Sequence, residues 1–160
     1  MITLNKGVQE IRWIGQSTMR AKGDFAPVVI KAGALNNMHD LVVSPEHRLF
    51  VYQRQDKLGI GRAETLVRAK HLVNGKDVHR LDDGYVEYYQ LLIVEHQIIY
   101  AEGIATESLL FDQRTQSALP DEAKRGICLH KSSYRDVLEV DKDKLRSINA
   151  VNLLRQATRG

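Results

Sequence analysis

The chain has 160 residues, of which 43% are hydrophobic and 27% are charged, and its formal net charge is +3. This length suits one domain around one core, and the composition excludes a largely disordered protein. No apolar run reaches the length of about 18 residues that a membrane-spanning helix requires, and residues 1–7 lack the apolar run of a signal peptide. The sequence leaves a cytoplasmic location and leaderless export both open.

The charged and metal-binding residues exclude several classes of partner. Lysine and arginine are spread along the chain rather than concentrated in a patch, so we expect no nucleic acid and no membrane as a partner. The only cysteine, Cys128, excludes an internal disulfide and fits a small buried hydrophobic residue. We expect no cofactor, and a metal site is the least favoured alternative because no two histidines have the close spacing of metal ligands. The histidines are His39, His47, His71, His79, His96 and His130.

Short strands are predicted along the first 110 residues or so. Runs of β-branched and aromatic residues predict strands at residues 11–14, 27–30, 41–43, 49–52, 86–94 and 97–100. Asn74-Gly75 and the glycine turn at Gly84 are the strongest turn signals between them. Many short strands with regular turn signals predict an all-β fold.

Two segments are predicted to be helical. Residues 63–72 place Leu66, Ala69 and Leu72 on one side of a helix. Residues 112–160 mix apolar and charged residues at helical spacing, so we divide the chain into a β domain, 1–111, and a helical C-terminal tail, 112–160. We expect the apolar residues of the tail to cover the β domain, and a docking face for a partner is the alternative. These residues are Leu145, Ile148, Leu153 and Leu154.

Three sequence blocks carry a resemblance to a known family. The blocks are residues 7–15, residues 27–35 with 40–48, and residues 87–92 with His96 and 101–108. In this order and spacing they resemble the Hint domain (the Hedgehog/intein self-processing fold) of the bacterial Hint-2 type, over roughly residues 2–110. The resemblance implies a horseshoe of short antiparallel strands.

The resemblance also implies a chemistry. In Hint domains a cysteine attacks the carbonyl carbon of the preceding peptide bond, and a Thr-x-x-His motif helps the amide nitrogen to leave by protonating it. Here Ser44 and His47 match that motif, with serine in place of threonine. His96 matches a later histidine that assists as an acid or base, and Glu95 beside it is a candidate for orienting its ring. We expect Ser44, His47 and His96 to line one cleft near the start of the chain.

Two departures from the family pattern limit this expectation. The nucleophilic cysteine belongs some tens of residues before Gly7, so we interpret the chain as N-terminally truncated, and Cys128 matches no catalytic position. Where inteins end in His-Asn, residues 106–108 read Thr-Glu-Ser, which excludes splicing. The sequence therefore predicts a self-processing domain that does not cleave itself as this chain.

Other functions stay open beside that interpretation. The chain is alternatively a protein-interaction module on the Hint scaffold, or half of a split Hint domain that an upstream chain completes. Removing strands from a closed β fold leaves an exposed strand edge, and such an edge favours association. We therefore expect it to pair with a second copy, as a homodimer, or with the missing N-terminal segment.

Overall fold

The computed structural model describes residues 1–4, 6–56, 59–111, 113–127, 139–140, 145 and 150–157. Within them the strands are β1 (Ile2–Thr3), β2 (Gly7–Val8), β3 (Ile11–Arg20), β4 (Val28–Ile30), β5 (Leu41–Val43), β6 (Arg48–Tyr52), β7 (Glu64–Arg68), β8 (Val78–Arg80), β9 (Tyr85–Ile93), β10 (Ile98–Ala101) and β11 (Ile104–Glu107). The helical elements are two 3₁₀ turns, Gly23–Phe25 and Ala69–Leu72, and the short helices α1 (Gln113–Gln116), α2 (Asp121–Lys124) and α3 (Ala150–Ala157).

The strands form three antiparallel sheets. One has the order β2-β1-β10-β11-β6-β7, the second is the pair β3-β9, and the third has the order β5-β4-β8. The prediction of an all-β fold is confirmed, and the described ranges hold a few short helices, one of them near the C-terminus. The division into a β domain, 1–111, and a helical tail, 112–160, stays a prediction. No helix in the described ranges is long and apolar enough to cross a membrane.

The helix predicted for residues 63–72 is wrong. Residues 64–68 form β7, which pairs with β6, and only Ala69–Leu72 turns as a short 3₁₀ helix. Leu66 and Val67 are both fully buried although they are neighbours. Successive strand residues point to opposite faces of a sheet, so both faces of β7 are covered. The helical spacing of Leu66, Ala69 and Leu72 was therefore coincidental.

The main core joins the β strands to the C-terminal residues. Val140, Leu145, Val151 and Leu154 are buried in the same cluster as strand residues from β4, β6, β7 and β8. Leu153 packs against this cluster from its edge. Leu145 and Leu154 are thus core residues, whereas Ile148 and Cys128 lie outside the described residues.

A second hydrophobic cluster packs at one end of the two-stranded sheet formed by β3 and β9. Trp13 packs there against the cluster that contains Leu92, Phe111 and Ala123 of α2. Its indole ring also lies over Gly15, because a Cβ built on Gly15 would stand only 2.1 Å from the ring atom Cη2. Glycine is thus required at position 15 by the close approach of the ring.

Replacing Gly15 with alanine is expected to destabilise the protein by about 1–3 kcal/mol, because the new methyl group displaces the packed indole. The measurement is the free energy of unfolding from urea titration. Ser17→Ala is the control, since Ser17 is exposed on the same strand. Equal stability of the two variants would show that the ring does not depend on Gly15.

Candidate active site

The residues between β5 and β6 form a tight turn. Pro45 follows Ser44 and fixes the backbone torsion φ, which suits the second position of a turn. The amide of His47 donates to the carbonyl oxygen of Ser44 at 3.0 Å. The carbonyl oxygens of Pro45 and His47 accept hydrogen bonds from the amides of Lys70 and Ala69, at 3.0 and 2.9 Å. The turn is therefore anchored on the 3₁₀ segment that follows β7.

His47 contacts a buried threonine of β11. Its ring atom Nε2 is hydrogen-bonded to Oγ1 of Thr106, and that hydroxyl donates to the carbonyl oxygen of Arg48 at 2.9 Å. A hydroxyl has only one proton to donate. Nε2 of His47 must therefore carry the hydrogen in its bond to Thr106. In the neutral ring Nδ1 is then the basic nitrogen, so Thr106 selects the tautomer.

His96 lies beside a buried carboxylate. Its side chain is 2% exposed, and Nε2 is 3.8 Å from Oε1 of Glu107, whose side chain is 5% exposed. Gln97 and Ser108 exchange hydrogen bonds beside this pair, with Ser108 N donating to the Gln97 carbonyl at 2.9 Å and Gln97 N donating to Ser108 Oγ at 3.1 Å. Glu95, the residue expected to orient His96, pairs with Lys6 instead. Glu107 is the carboxylate beside His96.

A chain of alternating charges runs from Glu107 to the turn. Its members, in order, are Glu107, Arg48, Glu139, Arg68, Glu46 and Lys70. Arg48 and Arg68 are paired directly across β6 and β7, and like charges in that position are destabilising. Glu139 compensates both positive charges, since its carboxylate accepts a hydrogen bond from Nε of Arg48 at 3.0 Å and another from Nε of Arg68. The charge chain thus holds the sheet and the turn in one arrangement.

Two of the three carboxylates in this series, Glu139 and Glu46, have a pKa below the ordinary value. Burial raises the pKa of Glu139, but hydrogen bonds from Arg68 and Arg48 outweigh it and the net pKa is lowered. Burial likewise raises the pKa of Glu46, and Lys70 and Arg68 reverse that effect. Both carboxylates are therefore ionised at neutral pH.

Glu139→Gln is expected to lower the free energy of unfolding by about 2 kcal/mol at pH 7, because two arginines lose a charged acceptor. The pKa of Glu139 is lower in the folded protein than its ordinary value of 4.5, so the ionised carboxylate stabilises the fold above pH 4.5. That stabilisation is lost as the pH falls through the folded pKa. The difference between wild type and variant should therefore shrink below pH 4.5. Urea unfolding at several pH values measures it, with the exposed Glu122→Gln as control, and a constant difference would contradict the account.

The comparisons with known proteins identify the family of the chain. A family profile of the Hint domain matches residues 1–113. The chain belongs to the Hint domain family. No curated protein and no solved structure matched it. The part of this Hint domain that matches the family includes Ser44, His47, His96 and the residues they contact on β11. It contains no cysteine, since the only one in the chain is Cys128.

Two of the expected site residues of the Hint domain, His47 and His96, lie against neighbouring residues of β11. Thr106 contacts His47, and the next residue, Glu107, lies beside His96. Successive strand residues point to opposite faces, so the two imidazoles approach β11 from different sides. Ser44 is close to His47 because both belong to the same turn. Arg48 contacts both residues of β11: its carbonyl oxygen accepts a hydrogen bond from Thr106, and its guanidinium lies 3.8 Å from Glu107. Joint action of Ser44, His47 and His96 on one peptide bond stays a prediction.

Among the other histidines, His39 has a partner outside this site. Exposed His39 is paired with Glu102 at 2.8 Å. Across those ranges no group of three His, Cys, Asp or Glu side chains is placed to hold a metal ion. The groups that the structure places at the site are the imidazoles of His47 and His96, the Thr106 hydroxyl and the charge chain.

Proposed function

We propose that this Hint domain supplies the half of a self-processing site that activates a peptide bond for acyl transfer. The observation that carries the proposal is the hydrogen bond between His47 and Thr106, which joins the Ser44–His47 turn to the late sequence block of the family. Both partners fall within the residues that match the Hint domain. The bond holds a hydrogen on Nε2, so we assign proton transfer to Nδ1.

The proposed step is an acyl transfer from nitrogen to sulfur. A cysteine thiol, giving up its proton to a base, attacks the carbonyl carbon of the preceding peptide bond and forms a carbon–sulfur bond. The carbon–nitrogen bond breaks, and the nitrogen takes a proton from Nδ1 of protonated His47 and leaves as an amine. The product is a thioester, and Ser44 holds the strained amide through its hydroxyl. His96 is kept out of this proton transfer, because it lies beside Glu107, and Glu107 and Thr106 point to opposite faces of β11.

The proposed nucleophile comes from outside the matched residues. Residues 1–113 hold no cysteine, so the thioester requires a cysteine on polypeptide joined to this chain or on a separate chain. The 160 residues alone are therefore proposed to be inactive, and the missing His-Asn pair excludes splicing even when the cysteine is supplied.

A fusion tests this proposal. A tag, followed by the cysteine-containing N-terminal segment of another Hint domain, is joined to residue 1, and release of the tag is followed with and without a thiol reagent. Thiol-dependent release is expected in the fusion, and none when the cysteine is replaced by alanine. A folded fusion that keeps its tag, or one that releases it equally without the cysteine, would refute the proposal.

A second candidate, an interaction module, is favoured by one feature of the six-stranded sheet. Strand β2 stands at its edge, and Ile2 and Val8, which are paired across β1 and β2, are 60% and 78% exposed. Unpaired edges with exposed apolar residues favour association. We propose that this edge pairs with a second copy of the chain.

Light scattering at increasing protein concentration measures this association. A dimer is expected for the wild type and a monomer for Val8→Lys, because a lysine at an edge opposes strand pairing. Val42→Lys is the matched control, since Val42 is exposed on the edge strand β5 of another sheet. A monomeric wild type at high concentration would exclude the dimer.

A further inference from the structure

Residues 139 and 140 lie along the last strand of the six-stranded sheet. That strand is β7, and its central residue Leu66 pairs in parallel with Glu139. The amide of Val140 donates to the carbonyl oxygen of Leu66 at 3.0 Å. The carbonyl oxygen of Glu139 accepts a hydrogen bond from Nη2 of Arg62 at 3.2 Å. Val140 is 3% exposed and belongs to the main core, so the segment is anchored by its backbone and by one buried side chain.

The Glu139 side chain connects this segment to both chain neighbours of His47. Arg48, which follows His47, donates directly to the Glu139 carboxylate at 3.0 Å. Glu46, which precedes His47, is reached through Arg68. The guanidinium of Arg68 donates through Nε to Glu139 and through Nη1 to Glu46, the second bond measuring 2.6 Å. The residues on either side of His47 are therefore tied to one carboxylate of the C-terminal residues.

Charge repulsion opposes this arrangement when the Glu139 carboxylate is removed. Arg48 and Arg68 are directly opposite each other on β6 and β7, and their side chains are only 17% and 29% exposed. Water screens partly buried like charges weakly, so the two guanidiniums separate unless an anion lies between them. Arg48 also carries the carbonyl oxygen that accepts the Thr106 hydroxyl, which contacts the His47 ring. The charge balance at Arg48 thus bears on the position of that ring.

We propose that docking of residues 139 and 140 on β7 is required to hold His47 in its active position, with Glu139 as the positioning residue. Both residues lie outside residues 1–113, the part of the chain that matches the family. The C-terminal residues therefore regulate the site, which is ordered while they are docked and loses that order when they are displaced. This inference rests on the proposed function, in which His47 protonates the leaving amine.

Hydrogen exchange in the whole chain tests the docking without requiring cleavage. The amides of His47, Ala69 and Lys70 donate to carbonyl oxygens of the turn, so their exchange rates report on its order. In Glu139→Gln they are expected to exchange about tenfold faster than in the wild type, the effect of losing hydrogen bonds to a charged acceptor. Gly15→Ala is the matched control, because it lowers overall stability to a similar extent from β3 and should leave these amides unchanged.

Arg68→Gln interrupts the same connection one step nearer to the turn. It should accelerate the same amides, and it tests the connection independently of any change at Glu139. The double variant Glu139→Gln/Arg68→Gln should exchange no faster than Glu139→Gln alone, because the effects of residues that act through one another are not additive. Fully additive effects would mean that Glu139 does not act on the turn through Arg68, and would overturn the inference.

Tag release from the cysteine-containing fusion then tests the link to His47. Glu139→Gln should slow release by about tenfold, whereas Gly15→Ala should release the tag at the wild-type rate. Unchanged exchange at the turn in Glu139→Gln, equal acceleration in Gly15→Ala, or wild-type release from the Glu139→Gln fusion would overturn the inference. Faster exchange in Glu139→Gln, together with a wild-type fusion that keeps its tag, would instead reject the proposed function and leave the docking in place.

Discussion

Replacing His47 with alanine is expected to slow tag release from the cysteine-containing fusion by about 10²–10⁴-fold, the usual contribution of a positioned acid or base. An amide nitrogen is a poor leaving group unless it gains a proton, and His47 is the proposed donor. The rate of release under saturating thiol measures the effect. The cysteine remains in place, so the variant reports on activation of the amide alone.

Two further variants separate this role from a general loss of structure. Thr106→Val removes the hydroxyl that fixes Nε2 of His47 but keeps a side chain of similar shape, so an intermediate loss of rate is expected. His39→Ala removes an exposed histidine that pairs with Glu102, and it should leave the rate unchanged. A His47→Ala fusion that folds and still releases its tag at the wild-type rate would remove His47 from the mechanism.

Replacing Glu107 with alanine is expected to destabilise the protein by about 3 kcal/mol, because the loss of one member of a buried charge pair leaves its partner uncompensated. His96 and Arg48 both lie 3.8 Å from the Glu107 carboxylate, and all three side chains are largely buried. Urea unfolding at pH 7 measures the change in free energy.

Glu102→Ala is the control for this second prediction. Glu102 also has a histidine partner, but His39 is 76% exposed, and exposed ion pairs contribute about 1 kcal/mol or less. The two glutamates thus differ mainly in burial. Similar losses of stability in the two variants would mean that the carboxylate of Glu107 does not compensate a buried charge.

Much of the β fold could be predicted because its strands have local signals. Val28–Ile30 and Tyr85–Ile93 are rich in β-branched or aromatic residues and are bounded by turns, and both form where they were expected. Residues 63–72 were predicted wrongly, since burial of both faces of β7 depends on packing against the rest of the molecule. Local spacing cannot report that packing.

The candidate site was predictable only in part. Ser44, His47 and His96 were found through the resemblance to the Hint family, and the turn at Ser44 also has a local signal in its proline. Thr106 and Glu107 were missed as site residues, although they stand in the late block that carries the resemblance. Thr106 lies 59 residues from His47 in the chain, so only the antiparallel pairing of β6 with β11 brings them together.

The charge chain has no sequence signature either. Arg48 and Arg68 face each other across two strands, and Glu139 reaches them from the C-terminal residues. Each charge taken alone is typical of a solvated surface. Their pairing follows from the fold, and so does the lowered pKa of Glu139.

The most direct test of the account is the mass of the tag released from the cysteine-containing fusion by hydroxylamine. Hydroxylamine attacks a thioester carbonyl, forms a carbon–nitrogen bond and restores the thiol. We expect a released tag that ends in a hydroxamate in the wild-type fusion, an uncleaved fusion in the cysteine-to-alanine variant, and release slowed by about 10²–10⁴-fold in the His47→Ala variant. A tag that ends in a carboxylate, or a hydroxamate formed equally well without His47, would contradict the claim that this Hint domain activates the peptide bond through His47.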